Sequence, residues 1–307
     1  MASFTNILVN LNAVDAEHPA LDQAEALAAR MHATITIADV LPSVPDAART
    51  FVSDRIEQEL VDHHWDLLKA IAARRGDKVR TVLLRGSKPA ISLIQEVQRD
   101  GHDLLMRSHG TVSSEPKPFG PTDMQLLRKC PCPVWLVGPS ASPRPRRLLA
   151  AIDASSNDPG EAALNRAILD LAVTIRDLED AQLTVLYAWS AFGYQFLERR
   201  MSAKELSAFT EATRAAARRD LDAFTSGLGT QVEALLMEGD PHDVIPAYAG
   251  SHSIDLVVMG TVGRSGLAGF VMGNTAERIL RSLRGSVVAI KPEGFVSPVR
   301  TSGVVFG

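Results

Sequence analysis

Three glycines late in the chain are spaced to hold a phosphate group. Gly260, Gly263 and Gly273 follow the apolar run 254–259, and the residues after Gly273 have the composition of a helix. A strand, a glycine loop and a helix start present unpaired main-chain N–H groups and the positive end of a helix dipole to an anion. The pattern therefore predicts a site for an anionic ligand. The alternative is that the glycines only make a tight connection in an α/β protein.

The spacing of these glycines differs from that of the commoner phosphate motifs. The chain has no Gly-x4-Gly-Lys-Ser/Thr sequence, and no Gly-x-Gly-x-x-Gly sequence follows the apolar run 148–152. Asp153 closes that run instead, and its carboxylate could accept hydrogen bonds from a ligand. The alternative role for Asp153 is a helix N-cap, at which Asp is common.

The elements that would position these residues occur twice along the chain. Apolar runs alternate with helical patterns, the longest at 53–74 and 204–224, which predicts a parallel sheet covered on both faces. This is the doubly wound, Rossmann-like α/β architecture, in which ligands bind beyond the carboxyl ends of the strands. Asp153, residues 187–189 and the loop 260–275 would all lie at that edge. The predicted strands are 7–11, 34–40, 79–84, 103–106 and 133–137, then 148–152, 183–187, 232–236, 254–259 and 286–290.

A repeat of this length indicates a domain duplication, because solenoid repeats run to roughly 20–50 residues. The predicted domains are 1–139 and 147–292, with a Pro- and Ser-rich linker at 140–146 and a tail at 293–307. The last strands, 134–137 and 287–290, would be exposed edges, so we expect the two halves to pair through them as an internal pseudo-dimer. Two chains could associate further as a homodimer.

Composition narrows the class of protein. The 307 residues are 46% hydrophobic and 22% charged, with a net charge of −4, which is typical of a globular protein. Dispersed Lys and Arg give no basic surface for nucleic acid. No apolar run approaches the roughly 18 residues of a membrane span, and no basic and apolar leader opens the chain. The prediction is a cytoplasmic protein that binds neither nucleic acid nor membrane.

Cysteine and histidine patterns indicate no metal or catalytic site. Cys130 and Cys132 are separated by one proline, which suits neither a disulfide nor a metal site, so we expect reduced, buried thiols; a redox role is the alternative. His63 and His64 are neighbours in a predicted helix and point to different sides of it. The remaining histidines are scattered near helix ends and loops, where we expect surface or capping roles. No local catalytic triad is visible.

The combined pattern resembles the universal stress protein family, in its tandem two-domain form. The nucleotide-binding signature of the family is Gly-x2-Gly-x9-Gly followed by Ser or Thr, which Gly260, Gly263 and Gly273 match. Asp153 at the end of the first strand is a second match, and the segment 126–135 a third. Asn274 departs from the signature, although its amide can still donate and Thr275 offers a hydroxyl one residue later.

The resemblance implies roles for these residues in binding ATP or a related adenine nucleotide, with Mg²⁺ accompanying it. Asp153 would accept hydrogen bonds from ribose or adenine. The glycines would let the chain approach the phosphates, and the start of the helix would donate to them. The full set of implied binding residues is Asp153, Tyr187, Ala188, Trp189, Met259, Gly260, Gly263, Arg264, Gly273, Asn274 and Thr275.

The first half of the chain departs further from the signature. When the two loops are aligned by an offset of 153 residues, Gly263 corresponds to a glycine in the first half, whereas Gly260 does not. We therefore expect this half to have lost nucleotide binding. The loop 113–118 is also stiffened by prolines. By this offset and by strand alignment, Gly263, Gly260, Asn274 and Asp153 correspond to Gly110, Arg107, Pro121 and Asn12.

Three functions remain open from the sequence. The first is a stress-response sensor or regulator that binds an adenine nucleotide in its second half, without catalytic residues. The second is a slow ATPase or phosphotransfer enzyme, which would need a positioned base and usually a metal. The third is a binding module for another small anionic ligand, such as a nucleotide-sugar or a lipid-like metabolite, which would use the aromatic segment 189–196. That segment is otherwise expected to cover the pocket or to pack between the domains.

Overall fold

A computed structural model of the protein describes residues 3–76, 79–109, 119–138, 141–155, 158–229, 231–261 and 272–300. The chain divides into two compact α/β units. The first unit comprises Ser3–Arg144 with the residues from Ser286 onward, and the second comprises Pro145–Gly285. Within the described residues, no helix is both long and apolar enough to cross a membrane.

The first unit alternates strands and helices along most of its length. Its strands β1–β5 are parallel in the order β3-β2-β1-β4-β5, and the last strand of the chain, β10, joins β5 in antiparallel orientation. The elements are β1 Asn6–Asn10, α1 Pro19–Met31, β2 Thr34–Leu41, a 3-10 turn Asp46–Ala48, α2 Asp54–Arg75, β3 Val79–Arg85, α3 Pro89–Asp100, β4 Leu104–Ser108, α4 Pro121–Lys129, β5 Val134–Val137 and β10 Ser286–Ile290.

The second unit repeats this order with a four-stranded parallel sheet. Its strand order is β8-β7-β6-β9. Strands β7 and β8 are added on one side of β6 and β9 on the other side, so the order of strand addition reverses between β6 and β9. The elements are β6 Arg147–Ile152, α5 Pro159–Glu179, β7 Gln182–Trp189, α6 Tyr194–Leu197, α7 Ala203–Thr225, β8 Val232–Glu238, α8 Pro241–Ser251, β9 Leu256–Gly260 and α9 Asn274–Ser282.

Local sequence explains where the helices begin and end. Several have Pro in the first turn, where a missing N–H is harmless, as in α5, whose Asp158 side chain also accepts from two main-chain N–H groups. The start of α7 is a capping box, in which Ser202 and Glu205 bond each other's main-chain N–H. Gly101 ends α3 in the left-handed conformation. The two long helices predicted at 53–74 and 204–224 are observed at Asp54–Arg75 and Ala203–Thr225, within one residue at each end.

The core consists of the central strands and the helix faces against them. The residues of β1, β4 and β5 in the first unit, and of β6 and β9 in the second, are almost all buried. This explains why their sequences are continuously apolar, since a parallel sheet is covered on both faces. The predicted pairing of the last strands is observed; its orientation, which was not predicted, is antiparallel, with Val288 opposite Trp135.

Candidate functional site

The predicted site residues lie where the second unit's strand order reverses. Asp153 directly follows β6, and Met259 and Gly260 end the neighbouring strand β9, in which Met259 is opposite Ala151. Adjacent strands that feed helices on opposite faces leave a crevice beyond their carboxyl ends, which is the usual ligand site of such sheets. The structure therefore brings Asp153 and the end of β9 to one place.

The start of α9 is tied to this edge. The N–H of Gly273 donates to the carbonyl of Thr261, the residue after β9, over 3.2 Å. Gly273 is the N-cap of α9, and Asn274 and Thr275, both exposed, occupy the first turn. Within the described ranges, the main-chain N–H groups of residues 274–276 donate to no protein acceptor. The helix start therefore offers a group of free donors beside β9.

Asp153 is held by hydrogen bonds to its main chain and to one of its oxygens. Asn165 of α5 brackets its main chain, donating to the carbonyl at 2.6 Å and accepting from the N–H at 3.3 Å. Ser155 donates to Asp153 Oδ1 through its hydroxyl at 2.6 Å and its N–H at 3.1 Å. Oδ2 has no hydrogen bond to a described residue. Asp153 is thus an oriented, exposed carboxylate with one oxygen open to solvent.

The end of β7 forms the neighbouring wall. The pairing of β6 with β7 stops at Ile152 opposite Tyr187, whereas β8 continues alongside β7 to Trp189. Ala188 and Trp189 therefore extend beyond β6 with one main-chain edge outside the sheet. The Tyr187 hydroxyl contacts Ser155; burial raises the pKa of this phenol, the Ser155 hydrogen bond lowers it, and the Asp153 charge raises it. Tyr187 accordingly stays neutral and links β7 to the Asp153 turn.

Gly260 has a packing role in addition to any role in binding. A Cβ on Gly260 would come within 2.8 Å of Leu164 Cδ2 and 3.5 Å of Ile168 Cδ1, both on α5. No positive φ is involved, so the glycine is required by the close approach of α5 to β9. Gly263 and Arg264 lie outside the described residues. Of the eleven predicted binding residues, the other nine are described at or next to this edge.

Two residues that position Asp153 escaped the sequence analysis. Asn165 lies twelve residues further along, in the middle of α5, and only the packing of α5 against β6 brings it to Asp153. Ser155 could have been found, because Asp-x-Ser is a pattern in which the Asp side chain bonds the chain two residues on. Within the aromatic segment 189–196, Trp189 is buried, whereas Phe192 and Phe196 are 89% and 58% exposed.

The equivalent edge of the first unit is filled by its own side chains. Arg107 donates from Nε to Asp123 Oδ1 at 2.8 Å and also bonds Asn10. Asp123 in turn accepts from the N–H of Gly120 at 2.8 Å, so a carboxylate occupies the start of α4. Asp123 is buried, and the residue at the same turn of α9 is Ala276. The start of α4 thus already has an anion.

A second pair fills the neighbouring position of that unit. Asp39, which has the register position in β2 that Tyr187 has in β7, is buried and accepts from His64 Nδ1 at 2.8 Å. Asp39 Oδ2 also accepts the N–H of Ala13 at 3.2 Å.

The sheet register corrects one alignment made from the loops: by their strand partners Arg107 corresponds to Met259, and Ser108 to Gly260. The loop-derived offset does not hold within the strands.

Two further expectations concern cysteine and histidine. Cys130 and Cys132 are free and buried, as predicted, with Sγ atoms 3.5 Å apart. The expectation of surface histidines is wrong for His102 and His109, which are 4% and 2% exposed. Both follow the end of a helix or strand, and the packing of that element buries them.

A cavity of about 250 Å³ lies in the second unit. It is lined by residues of α8 and the end of α9, at the amino end of β9 and so at the edge opposite the candidate site.

Comparison with known proteins agrees with the duplicated architecture. The family model described as the universal stress protein family matches this chain twice, over residues 3–138 and 145–291. The chain belongs to the universal stress protein family. It is 29% identical over 312 residues to universal stress protein E of Escherichia coli K12, covering 97% of this chain and 98% of that protein. The corresponding protein of Photorhabdus laumondii is 26% identical over 322 residues, covering 98% and 99% of the two chains.

Solved structures extend the comparison to the fold. A protein of unknown function from Pseudomonas aeruginosa PAO1 matches with a TM-score of 0.71 and 26% identity, covering 94% of this chain and 93% of that one. A universal stress protein from Archaeoglobus fulgidus matches with a TM-score of 0.60 over 93% and 98% of the two chains, at 15% identity, and so shows the fold alone. The tandem universal stress protein fold predicted from the sequence is thereby confirmed.

Proposed function

We propose that the second unit of this universal stress protein binds ATP or a related adenine nucleotide and that the protein acts as a sensor or regulator. The observation that carries the proposal is the start of α9. Its free N–H groups at residues 274–276 are tied to the end of β9 through Gly273, at the carboxyl edge where Asp153 also lies. Free helix-start donors and the helix dipole favour a phosphate group.

The walls of the crevice suit the rest of a nucleotide. Asp153 has one carboxylate oxygen engaged by Ser155 and the other available to ribose hydroxyls or an adenine amino group. The main-chain edge of Ala188 and Trp189 beyond β6 can supply the paired donor and acceptor that an adenine ring needs. Mg²⁺ would arrive with the nucleotide, because this ion is usually bound by substrate phosphates together with one or two carboxylates, and Asp153 offers a carboxylate at this edge.

The polar groups at the equivalent edge of the first unit differ from those of the second, which supports one nucleotide site per chain. The helix start in the first unit already has the Asp123 carboxylate, paired with Arg107, and Pro121 removes one N–H donor. A phosphate there would face a fixed negative charge. The duplicated fold therefore provides an internal control, because the two units have the same topology and different polar groups at the same edge.

The test is an equilibrium titration with ATP at up to millimolar concentration, with and without Mg²⁺. We expect wild type to bind one nucleotide per chain. Asn274→Asp is the sharpest variant, because it is isosteric, exposed and favourable to a helix start, yet it places a negative charge where the phosphates would bind. Affinity should fall about tenfold or more, corresponding to roughly 1.4 kcal/mol, while thermal stability is unchanged or higher.

Two controls complete this test. Gly273→Val should also abolish binding, because Gly273 has an extended backbone that valine can adopt, so the loss would come from the side chain in the crevice. Asn12→Ala, in the first unit at the position of Asp153, should leave binding unchanged. No ATP binding by wild type, or equal binding by wild type and Asn274→Asp, contradicts the proposal.

A ligand other than an adenine nucleotide is the second candidate. The exposed side chains of Phe192, Tyr194 and Phe196 follow the end of β7, next to the crevice, and could contact an apolar group attached to an anionic head. Native mass spectrometry of freshly purified protein separates the two candidates. A co-purified compound without adenine, displaced by Asn274→Asp, would favour this second function.

A further inference from the structure

Three side chains able to ligate a metal meet at the end of α3 in the first unit. Glu96 and Asp100 are one helical turn apart on the same face of α3, and His102 follows the helix directly after Gly101. One ligand atom from each lies within 4.8 Å of the other two. In a tetrahedral Zn²⁺ site with bonds of about 2.0–2.1 Å, the ligand atoms are about 3.3–3.4 Å apart. Small side-chain adjustments would therefore bring all three onto one ion.

The buried members of this cluster lack hydrogen-bond partners. Glu96 is 1% exposed and His102 is 4% exposed. Among the residues that the structure describes, Glu96 Oε1 has no hydrogen bond, and His102 has none of good geometry, although the main chain of Asn6 comes near its ring. Buried polar atoms in folded proteins are nearly always satisfied, because losing water without replacement is unfavourable. Such atoms on two neighbouring buried side chains point to a ligand that completes their coordination.

The charges around the cluster have both signs, since Glu96 and Asp100 favour a cation whereas Arg99 and the nearby Arg80 oppose one. The carboxyl end of α3 has the negative end of a helix dipole. An imidazole binds divalent transition metals through either ring nitrogen, and the ring of His102 is buried beside both carboxylates. Arg99 bonds Glu96 through the other oxygen, Oε2, and contacts Asp100 at 3.2 Å, which leaves Glu96 Oε1 uncommitted.

We propose that Glu96, Asp100 and His102 bind one divalent transition-metal cation of the Zn²⁺ type. One imidazole with two carboxylates is a donor set suited to zinc and its neighbours, whereas Mg²⁺ and Ca²⁺ prefer oxygen alone. Arg99 influences the affinity of this site for a metal, because its guanidinium neutralises negative charge of Glu96 and Asp100 that would otherwise attract the ion. This site lies at the amino end of β4 in the first unit, whereas the crevice proposed for a nucleotide belongs to the second unit.

Calorimetric titration of the full chain with zinc chloride tests the proposal, in a Cys130→Ser, Cys132→Ser background because thiolates bind zinc themselves. We expect one equivalent of Zn²⁺ to bind. His102→Leu should weaken binding by at least about tenfold, since even outer partners of metal ligands contribute 10–100-fold. Asp100→Asn should also weaken it, and Arg99→Gln should tighten it by removing a neighbouring positive charge.

Melting temperatures with and without zinc distinguish metal ligation by His102 from a purely structural role of this residue. Without metal, His102→Leu removes two unpartnered buried nitrogens and should melt at or above the background temperature, and zinc should raise the melting temperature of the background alone. His242→Gln is the matched control, because His242 belongs to an exposed cluster with Asp240 and Asp243 and already pairs with Asp243 at 3.3 Å.

Several results would overturn the proposal. These are absence of zinc binding in the background protein, binding unchanged by Asp100→Asn, or binding lost with His242→Gln and kept with His102→Leu. If His102→Leu does not fold, Asp100→Asn decides, because Asp100 is exposed and its amide variant keeps the shape of the side chain.

Discussion

The buried ammonium of Lys291 makes a quantitative prediction about stability. Lys291 follows β10, is 7% exposed, and donates from Nζ to the main-chain carbonyl of Leu127 near the end of α4. Burial lowers its pKa to about 8 from an ordinary value of 10.5, against the opposing effect of Cys130 and Cys132. The folded state therefore releases this proton more readily than the unfolded chain.

The sign and the size follow from proton linkage. Between pH 8 and 10.5 the unfolded chain binds more protons than the folded protein, so stability attributable to Lys291 rises with pH across that window. A difference of about 2.5 pKa units corresponds to roughly 3 kcal/mol at 1.36 kcal/mol per unit. Below pH 8 the folded protein carries the whole unfavourable contribution of a buried charge.

Lys291→Met isolates this contribution. Urea unfolding followed by tryptophan fluorescence, which Trp135 of the adjacent strand β5 reports from a fully buried position, gives the free energy of unfolding at each pH. The stability of wild type minus that of the variant should increase by about 2–3 kcal/mol from pH 7.5 to 10.5. Because the charge of Lys291 also acts on Cys130 and Cys132, both proteins are compared in a Cys130→Ser, Cys132→Ser background.

The matched control is Lys204→Met, at an exposed position in the first turn of α7, whose difference from wild type should be flat over the same range. Parallel stability curves for wild type and Lys291→Met would refute the reasoning, because they would mean that the amine is neither desolvated nor shifted in the folded protein.

Two further predictions concern the candidate site, and a third concerns His18 in the first unit. Gly260→Ala should destabilise the protein by about 1–3 kcal/mol through overpacking against α5, and Leu164→Val in the same chain should restore part of the loss in thermal unfolding. Asn165→Ala should lower stability by about 1–3 kcal/mol and weaken nucleotide binding, because the Asp153 main chain loses both bonds; unaltered binding would separate Asn165 from the site. Burial lowers the pKa of His18 below 6.5, so stability should fall as pH drops below that value, and His18→Asn should show a shallower acid profile in chemical denaturation.

Most of the fold could be predicted from sequence because its signals are local or repeated. Apolar runs without alternation indicate strands covered on both faces, and Pro or Ser at a helix start marks the start itself. The short helix α6 and the 3-10 turn at 46–48 were missed, since each is a single turn without a periodic pattern. The offset between loops failed inside the strands because an alignment across connections of different length need not preserve sheet register.

The candidate site was predictable in part. Asp153 and Gly273 could be placed because each stands at the end of an obvious strand or the start of an obvious helix, and the topology brings such ends together. Asn165 could not, because it looks like any polar residue in the middle of a helix. The pairing of Arg107 with Asp123 at the equivalent edge of the first unit could not be predicted either, because these residues are sixteen positions apart in the sequence and meet through a hydrogen bond.

The sequence by itself determined the family, the order of the elements and the residues at the ends of the strands, because apolar periodicity and helix-start chemistry act over a few neighbouring residues. Only the tertiary structure decided which polar groups have partners. It paired Asp123 with Arg107 in one unit, left the start of α9 with free donors in the other, and buried His102 and Lys291. The desolvation and pairing of a side chain depend on residues far along the chain, which local patterns do not record.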